Sequence, residues 1–334
     1  MATILEVKNL VTKFYTLDGV VNAVNGLSFN LEQGEILAIV GESGCGKSVA
    51  MMSLIGLIAS PPGKVEQGEA IFHSPKGTCD LLKLTPEELR NVRGGQIGFV
   101  FQDPISTLNP VLTIGDQISE ILTRHLKLSR QEARDRVLSL LSDVGIPDPE
   151  LRINSYPFQF SGGMRQRVVI AIAIACNPQI IIADEPTTAL DVTVQAQVVA
   201  LFKKLREKLG ITIIWITHDL GVVAGLAHRV MVMYAGRSVE VAPLYDLYEN
   251  PSHPYTLGLL GALPRLDSAE SRRLVSIDGT PPDLLVPITN CAFAWRCKYA
   301  FARCWEEIPQ LIPVSVNHAT ACFFNLQKGT PRDG

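Results

Sequence analysis

The segment Gly41-Glu42-Ser43-Gly44-Cys45-Gly46-Lys47-Ser48 fits the pattern G-x-x-x-x-G-K-S and constrains this chain more than any other feature. An apolar run, Ile36 to Val40, directly precedes it, and a helical run, Val49 to Ile58, directly follows. A buried strand feeding a glycine-rich turn that opens a helix wraps backbone N–H groups, and the positive end of the helix dipole, around an anion. Lys47 is placed to reach the β and γ phosphates of a nucleotide, and Ser48 to bind Mg2+. Such a turn belongs at the carboxyl edge of a parallel sheet, so an α/β domain is expected.

The rest of the chain agrees. Ile97 to Phe101, Ile180 to Ala183 and Ile211 to Ile216 are further short apolar runs that read as buried strands, too short for helices. Between the first two of these the pattern turns helical. Ser129 with Glu132 forms a capping box, Ala133, Val137, Leu141 and Val144 share one face, and Gly145 closes the helix. This predicts a helical subdomain over roughly Asp103 to Ala175. The 334 residues suffice for about two domains, and 47% hydrophobic residues exclude a disordered chain. A net charge of −3 leaves no basic footprint for nucleic acid. Met1 to Leu10 carries no signal-peptide pattern, and Val49 to Gly63, the longest uncharged apolar stretch, is too short and too broken by Pro and Gly to span a membrane. A cytoplasmic protein with at most a peripheral membrane role is expected.

Two more segments carry chemistry. Ile180-Ile181-Ile182-Ala183-Asp184-Glu185 is a strand ending in two carboxylates. Asp184 suits Mg2+, through water, and Glu185 can accept a proton from a water attacking the γ-phosphate. Phe160-Ser161-Gly162-Gly163-Met164-Arg165-Gln166-Arg167 opens a helix running to about Cys176, making Ser161 and the two glycines a second anion-binding helix start. One nucleotide rarely needs two cradles from one molecule, so a head-to-tail pair, each ATP clamped between opposite cradles, is expected.

On these residues the chain resembles an ATP-binding cassette (ABC) transporter ATPase, a P-loop NTPase. Phe160 and Met164 replace the outer residues of the usual Leu-Ser-Gly-Gly-Gln signature, and this variant, with Ala183-Asp184-Glu185-Pro186-Thr187-Thr188-Ala189-Leu190-Asp191-Val192-Thr193, resembles the dipeptide and oligopeptide importer branch. The resemblance implies an antiparallel β subdomain beside the helical one, with the cassette spanning residues 1–243. It implies Tyr15 stacking on adenine, with Phe14 as rival, and Gln102 reaching Mg2+ and the attacking water. It also implies His218 at the γ-phosphate and Asp191 in a loop communicating across the dimer. The implied partners are a second ABC ATPase chain, homologous or identical, two membrane permease subunits at the cytoplasmic face and, indirectly, an extracytoplasmic peptide-binding protein. A related importer of nickel or another solute, or a soluble ABC ATPase acting on ribosomes or DNA, is the alternative.

After about Pro243 the composition changes to Pro-punctuated segments, predicting a separate appendage over 244–334. Pro251-Ser252-His253-Pro254-Tyr255-Thr256 resembles the C-terminal extension of peptide-importer ATPases. Beyond it Cys291, Cys297, Cys304 and Cys322 follow C-x5-C-x6-C-x17-C among Trp295, Tyr299, Phe301 and Trp305. In a reduced compartment four such thiols point to metal rather than disulfides. Spacing alone favours neither a 4Fe-4S cluster nor tetrahedral Zn2+, and His318 could complete a Cys3His zinc site. The family resemblance implies the iron-sulfur cluster, as a structural staple.

Overall fold

The computed structural model describes residues 2–75, 77–188, 190–263 and 277–332. Two long strands come first, β1 (Thr3–Thr16) and β2 (Gly19–Glu32), followed by the short, wholly buried β3 (Ile36–Val40). The phosphate-loop helix, Lys47–Leu54, leads to β4 (Gly63–Ser74) and β5 (Gly77–Asp80), which complete a four-stranded antiparallel sheet of order β2-β1-β4-β5. Then come β6 (Ile97–Val100), β7 (Ile180–Asp184), β8 (Thr212–Thr217), β9 (Arg229–Tyr234) and β10 (Arg237–Pro243), with β11 (Ile312–Ser315) and β12 (His318–Thr320) from the tail. They join β3 in an eight-stranded sheet of order β11-β12-β10-β9-β3-β8-β7-β6.

The centre of this sheet is parallel: β3 pairs with both β8 and β9, and β7 with both β8 and β6. Strands buried on both faces need apolar residues at every position, which is why Ile180-Ile181-Ile182-Ala183 reads as an unbroken run. The alternation of a strand sorts these residues between layers. Leu37 and Ile39 face the core shared with the antiparallel sheet and the Lys47 helix, while Ala38 and Val40 face the core shared with the tail.

A third core holds the helical subdomain. The helices Ile114–Leu126, Arg130–Asp143 and Gly162–Ile174 pack with Val192–Leu209 against the face of the sheet that carries Ile213 and Trp215. Trp215 is fully buried and meets Phe202 edge-on at 5.0 Å, a pair worth about 1 kcal/mol beyond its buried area. The capping box of the Arg130 helix forms as its sequence predicts, with Glu132 N–H donating to Ser129 and Ser129 N–H donating to Glu132.

The tail is less separate than its composition suggests. Its β12 pairs antiparallel with β10, opposing Glu240 to Thr320, and β11 pairs with β12 in turn. An edge strand of the cassette is thereby covered by residues about 80 positions later. Tyr255 and Phe293, both buried, pack around Tyr234 of β9 in the core shared with the tail.

Candidate functional site: a nucleotide cleft at the carboxyl edge of the parallel sheet

The loop after β3 is built on glycines that nothing else can replace. At Gly46 the backbone φ is +97°, and a Cβ there would lie 2.3 Å from the carbonyl oxygen of Ala23. A Cβ at Gly41 would lie 2.3 Å from the carbonyl oxygen of Met233. The loop is thus wedged between β2 and β9. Ser43 and Gly44 stay exposed at its tip, while Cys45 is buried beneath, where burial raises its thiol above the ordinary value. Lys47 is 4% exposed and its ammonium donates to the carbonyls of Gly41, at 2.8 Å, and Glu42, at 2.9 Å.

The carboxylate pair lies at the end of β7. Ser48 Oγ donates to Asp184 Oδ1 at 2.8 Å, bringing together two oxygen ligands suited to a hard divalent cation. Burial raises the Asp184 carboxyl, against the opposing hydrogen bond from Ser48. The next residue, Glu185, adopts φ +45°, a left-handed conformation that a non-glycine side chain takes only where its surroundings hold it. Thr188 Oγ1 donates to its Oε2 at 2.8 Å, Gln102 Nε2 to the same oxygen at 3.2 Å, and His218 Nδ1 lies 3.2 Å from Oε1. Burial pushes this carboxyl up, but Thr188 and His218 more than offset it, and Glu185 sits below its ordinary value. Held below its ordinary value, Glu185 is a carboxylate with the capacity to take a proton.

These groups border one cleft of about 910 Å³. Its lining includes Gly41 to Gly44, Gly46 to Val49, Gln102, Glu185 and His218 of the residues singled out in the sequence, and does not include Cys45 or Asp184. Phe14 also lines it, whereas Tyr15 does not: Tyr15 is half exposed and its hydroxyl donates to Glu66. Successive residues of β1 face opposite sides, so only one of the two rings can border the cleft. Thr188 was not singled out in the sequence, although its place three residues after Glu185 is the spacing of a local turn bond. Leu259 and Leu284 of the tail also line the cleft, with no local signal to announce them.

The second cradle stands apart. Ser161 caps its helix by accepting from Met164 N–H at 3.3 Å, and Asp191 caps the Val192 helix by accepting from Val194 N–H at 2.9 Å. Ser161 and Gly162 are exposed, and none of Ser161, Gly162, Gly163, Met164 or Asp191 lines the cleft. Ala189, beside Asp191 in sequence, lies outside the described residues.

In the tail, burial pushes the Cys291 thiol up to about 11 and the Cys322 thiol up to about 12, and Cys297 is raised for the same reason. Each accepts a backbone N–H from the residue two positions on, Phe293, Phe324 and Tyr299 respectively. The sulfurs of Cys291, Cys297, Cys304 and Cys322 act electrostatically on one another, so they share one neighbourhood. Among the described residues, however, no group of three or more His, Cys, Asp or Glu side chains is arranged to hold a metal ion. The Nε2 of His318 is engaged by Glu240 at 2.7 Å, so that nitrogen is not available to a Cys3His site.

A glycine-rich loop over a buried lysine, a hydrogen-bonded Ser48–Asp184 pair and a Glu185 carboxylate held by three side chains, all at the edge of a parallel sheet, fit an ABC-type ATP hydrolase, and comparisons with known proteins show that class. The model of the ABC transporter family matches residues 24–188, and that of the oligopeptide/dipeptide transporter C-terminal region matches 239–304. The dipeptide transport ATP-binding protein DppD of Bacillus subtilis is 51% identical over 98% of this chain and 96% of its own length. The oligopeptide transport ATP-binding protein OppD of the same organism is 51% identical over 94% of this chain and 87% of its own. A dimeric bacterial ABC transporter cassette of known structure superposes with a TM-score of 0.63 at 32% identity, covering 72% of this chain and 98% of that one. A dimeric post-hydrolysis state bound to ADP and Pi matches with the same TM-score. The chain belongs to the dipeptide and oligopeptide transport family of ABC ATP-binding proteins.

Proposed function

We propose that this chain is the motor subunit of a peptide importer, binding and hydrolysing ATP at the cytoplasmic face of the membrane to drive dipeptides or oligopeptides through two permease subunits. The observation that carries the ATPase is Glu185, ionised, held by Thr188, Gln102 and His218, and set beside the Ser48–Asp184 pair. The glycine loop and Lys47 bind the phosphates, Glu185 takes the proton of the attacking water, and His218 and Gln102 orient the reacting groups. Ser48, Asp184 and Gln102 would hold Mg2+, which supplies positive charge against the developing phosphate charge.

Ser161, Gly162, Gly163, Met164 and Asp191 are assigned to the nucleotide of a second cassette, because none of them borders this chain's own cleft and Ser161, Gly162 and Asp191 are exposed. That cassette is a homologous chain or a second copy. No helix among the described residues is long and apolar enough to cross a membrane, which suits a peripheral role.

Cys291, Cys297, Cys304 and Cys322 are assigned to a 4Fe-4S cluster. A single zinc, with Zn–S near 2.3 Å, requires sulfurs about 4 Å apart. Four thiols in one neighbourhood offer the ligands a cluster takes, and the N–H donors at Phe293, Tyr299 and Phe324 suit its thiolates. Stacked Tyr299 and Phe324, at 4.9 Å, and edge-on Trp295 and Trp305, at 4.8 Å, belong to the same segment. Protein purified without oxygen should carry about four irons with matching acid-labile sulfide. One zinc per chain instead would replace this assignment.

The transport reading is tested in cells. A host deprived of this chain should stop accumulating labelled dipeptides and oligopeptides, and the wild-type chain, but not Glu185→Gln, should restore uptake. Unchanged peptide uptake with loss of nickel or another solute would move the cargo to a related importer class.

A further inference from the structure

The loop residue Glu42 is held on both sides by the tail. Its backbone N–H donates to the Tyr255 hydroxyl at 2.8 Å. Its carboxylate receives a two-pronged ion pair from Arg296, Nη1 to Oε2 at 2.6 Å and Nη2 to Oε1 at 2.9 Å, across 254 positions of sequence. Arg296 is itself fixed. Its side chain is 4% exposed, and Nε donates to Asp278 O at 2.9 Å, Nη1 also to the Tyr234 hydroxyl and Nη2 also to Ile277 O. All five guanidinium N–H groups are thus used, and Cζ lies 5.8 Å from the centre of the Tyr234 ring and 5.9 Å from that of Phe293.

The connection continues inward. The carbonyl of Glu42 accepts from the ammonium of Lys47 at 2.9 Å, the group that meets the phosphates. A carboxylate at the second position of a phosphate-binding loop would repel a polyphosphate if left free, and Arg296 both neutralises it and turns it toward the tail. At the other end of the cleft the tail reaches in again: Leu284 lines it, and its carbonyl accepts from Asn22 N–H at 2.8 Å and Asn22 Nδ2 at 3.1 Å.

We propose that the cysteine-bearing tail is a working part of the nucleotide site, with Arg296 a positioning residue that sets the shape and charge of the phosphate loop through Glu42. The proposal deepens the ATPase reading above and rests on it. The experiment uses the full chain and measures equilibrium binding of a fluorescent ATP analogue, KM and kcat for ATP, and thermal unfolding. The variants are Arg296→Gln, Arg296→Lys, Glu42→Gln and the double Glu42→Gln/Arg296→Gln. Arg296→Gln, which leaves the Glu42 charge free, is expected to weaken ATP binding about tenfold and to raise KM more than it lowers kcat, and Glu42→Gln, which removes that charge and loses only the positioning, to weaken binding less. Arg296→Lys should recover part of the loss by retaining charge without the fork. The double should be no worse than either single, because both remove one interaction. Glu42→Gln lies on a half-exposed loop and keeps the test usable if Arg296→Gln folds poorly. Wild-type ATP affinity and KM with only a lowered melting temperature would reduce Arg296 to a structural clamp and overturn the proposal, as would strictly additive losses in the double. Lys47→Ala separates the two levels. If it too binds ATP normally, the nucleotide-site reading fails; if it alone loses ATP, only the role of Arg296 fails.

Discussion

Glu185 shows how much of the chemistry depends on one strained position. A left-handed φ turns its carboxylate off the line of β7 and under the donors of Thr188, Gln102 and His218, while Asp184 continues the strand toward Ser48. Adjacent acids thereby acquire opposite environments. Glu185→Gln keeps the volume and removes the proton acceptor, so ATP binding should survive while hydrolysis falls by about 10²- to 10⁴-fold, measured by phosphate release. Turnover within a few-fold of wild type would remove Glu185 from the base role. The two aromatic rings of β1 give a second test at this scale. With Phe14 in the cleft wall and Tyr15 bonded to Glu66, Phe14→Ala should weaken ATP about tenfold, roughly the loss of one base-stacking contact. Tyr15→Ala should change affinity far less, and the reverse order would return the stacking role to Tyr15.

Among the elements, β12 decides how the tail attaches. Glu240 of β10 is fully buried and accepts from the backbone N–H of Ser252, from His253 N–H at 3.0 Å, and from His318 Nε2 at 2.7 Å. Three segments distant in sequence converge on one carboxylate, and removing any partner leaves charge buried without compensation. The His253 ring accepts from Tyr255 N–H and donates to Ala321, next to Cys322, so the Ser252-His253-Pro254 turn clasps the strand that leads to the fourth cysteine. Burial lowers the His253 pKa from 6.5 to about 4, against the pull of Glu240. Between those values the unfolded chain binds a proton that the folded chain refuses. Stability contributed by the neutral ring is therefore complete above about pH 6.5 and is lost as pH falls toward 4, on the order of 3 kcal/mol in all. Urea unfolding of wild type and His253→Gln near neutral pH and at about pH 5 should show the steeper loss in wild type. Parallel pH profiles would show that the ring titrates as freely in the folded chain as in the unfolded one.

Of the two glycine-led helix starts that the sequence singled out, at Lys47 and at Gly162, only the first lines the cleft. Gly163 packs tightly: a Cβ there would meet Val194 Cγ1 at 2.8 Å. Gly162, beside it, has nothing within 4 Å of where its Cβ would be. That open space suits the nucleotide that the proposed function assigns to this helix start from a second cassette. Gly162→Val should leave stability within about 0.5 kcal/mol of wild type, since it touches nothing in its own chain. It should nonetheless cut ATP hydrolysis by about a hundredfold in the assembled transporter, by displacing the partner's phosphates from the second cradle. Thermal unfolding and phosphate release on the same preparation check both halves, and undiminished hydrolysis would remove this face from the nucleotide clamp.

What the sequence determined by itself was everything carried by local spacing. The β3 run, the glycine loop, the Ser129–Glu132 capping box and the Asp184-Glu185 strand end each draw their conformation from neighbours within a few residues, so their chemistry is written in order along the chain. The tertiary structure decided what depends on faces and distance. Which of Phe14 and Tyr15 meets the cleft follows from the orientation of β1. That Gln102 and His218 share Glu185, that His318 engages Glu240, and that Arg296 reaches back to Glu42 follow from elements brought together only by folding. Sequence spacing carries no information about contacts across hundreds of residues, because the energy that fixes them is the burial of shared apolar cores.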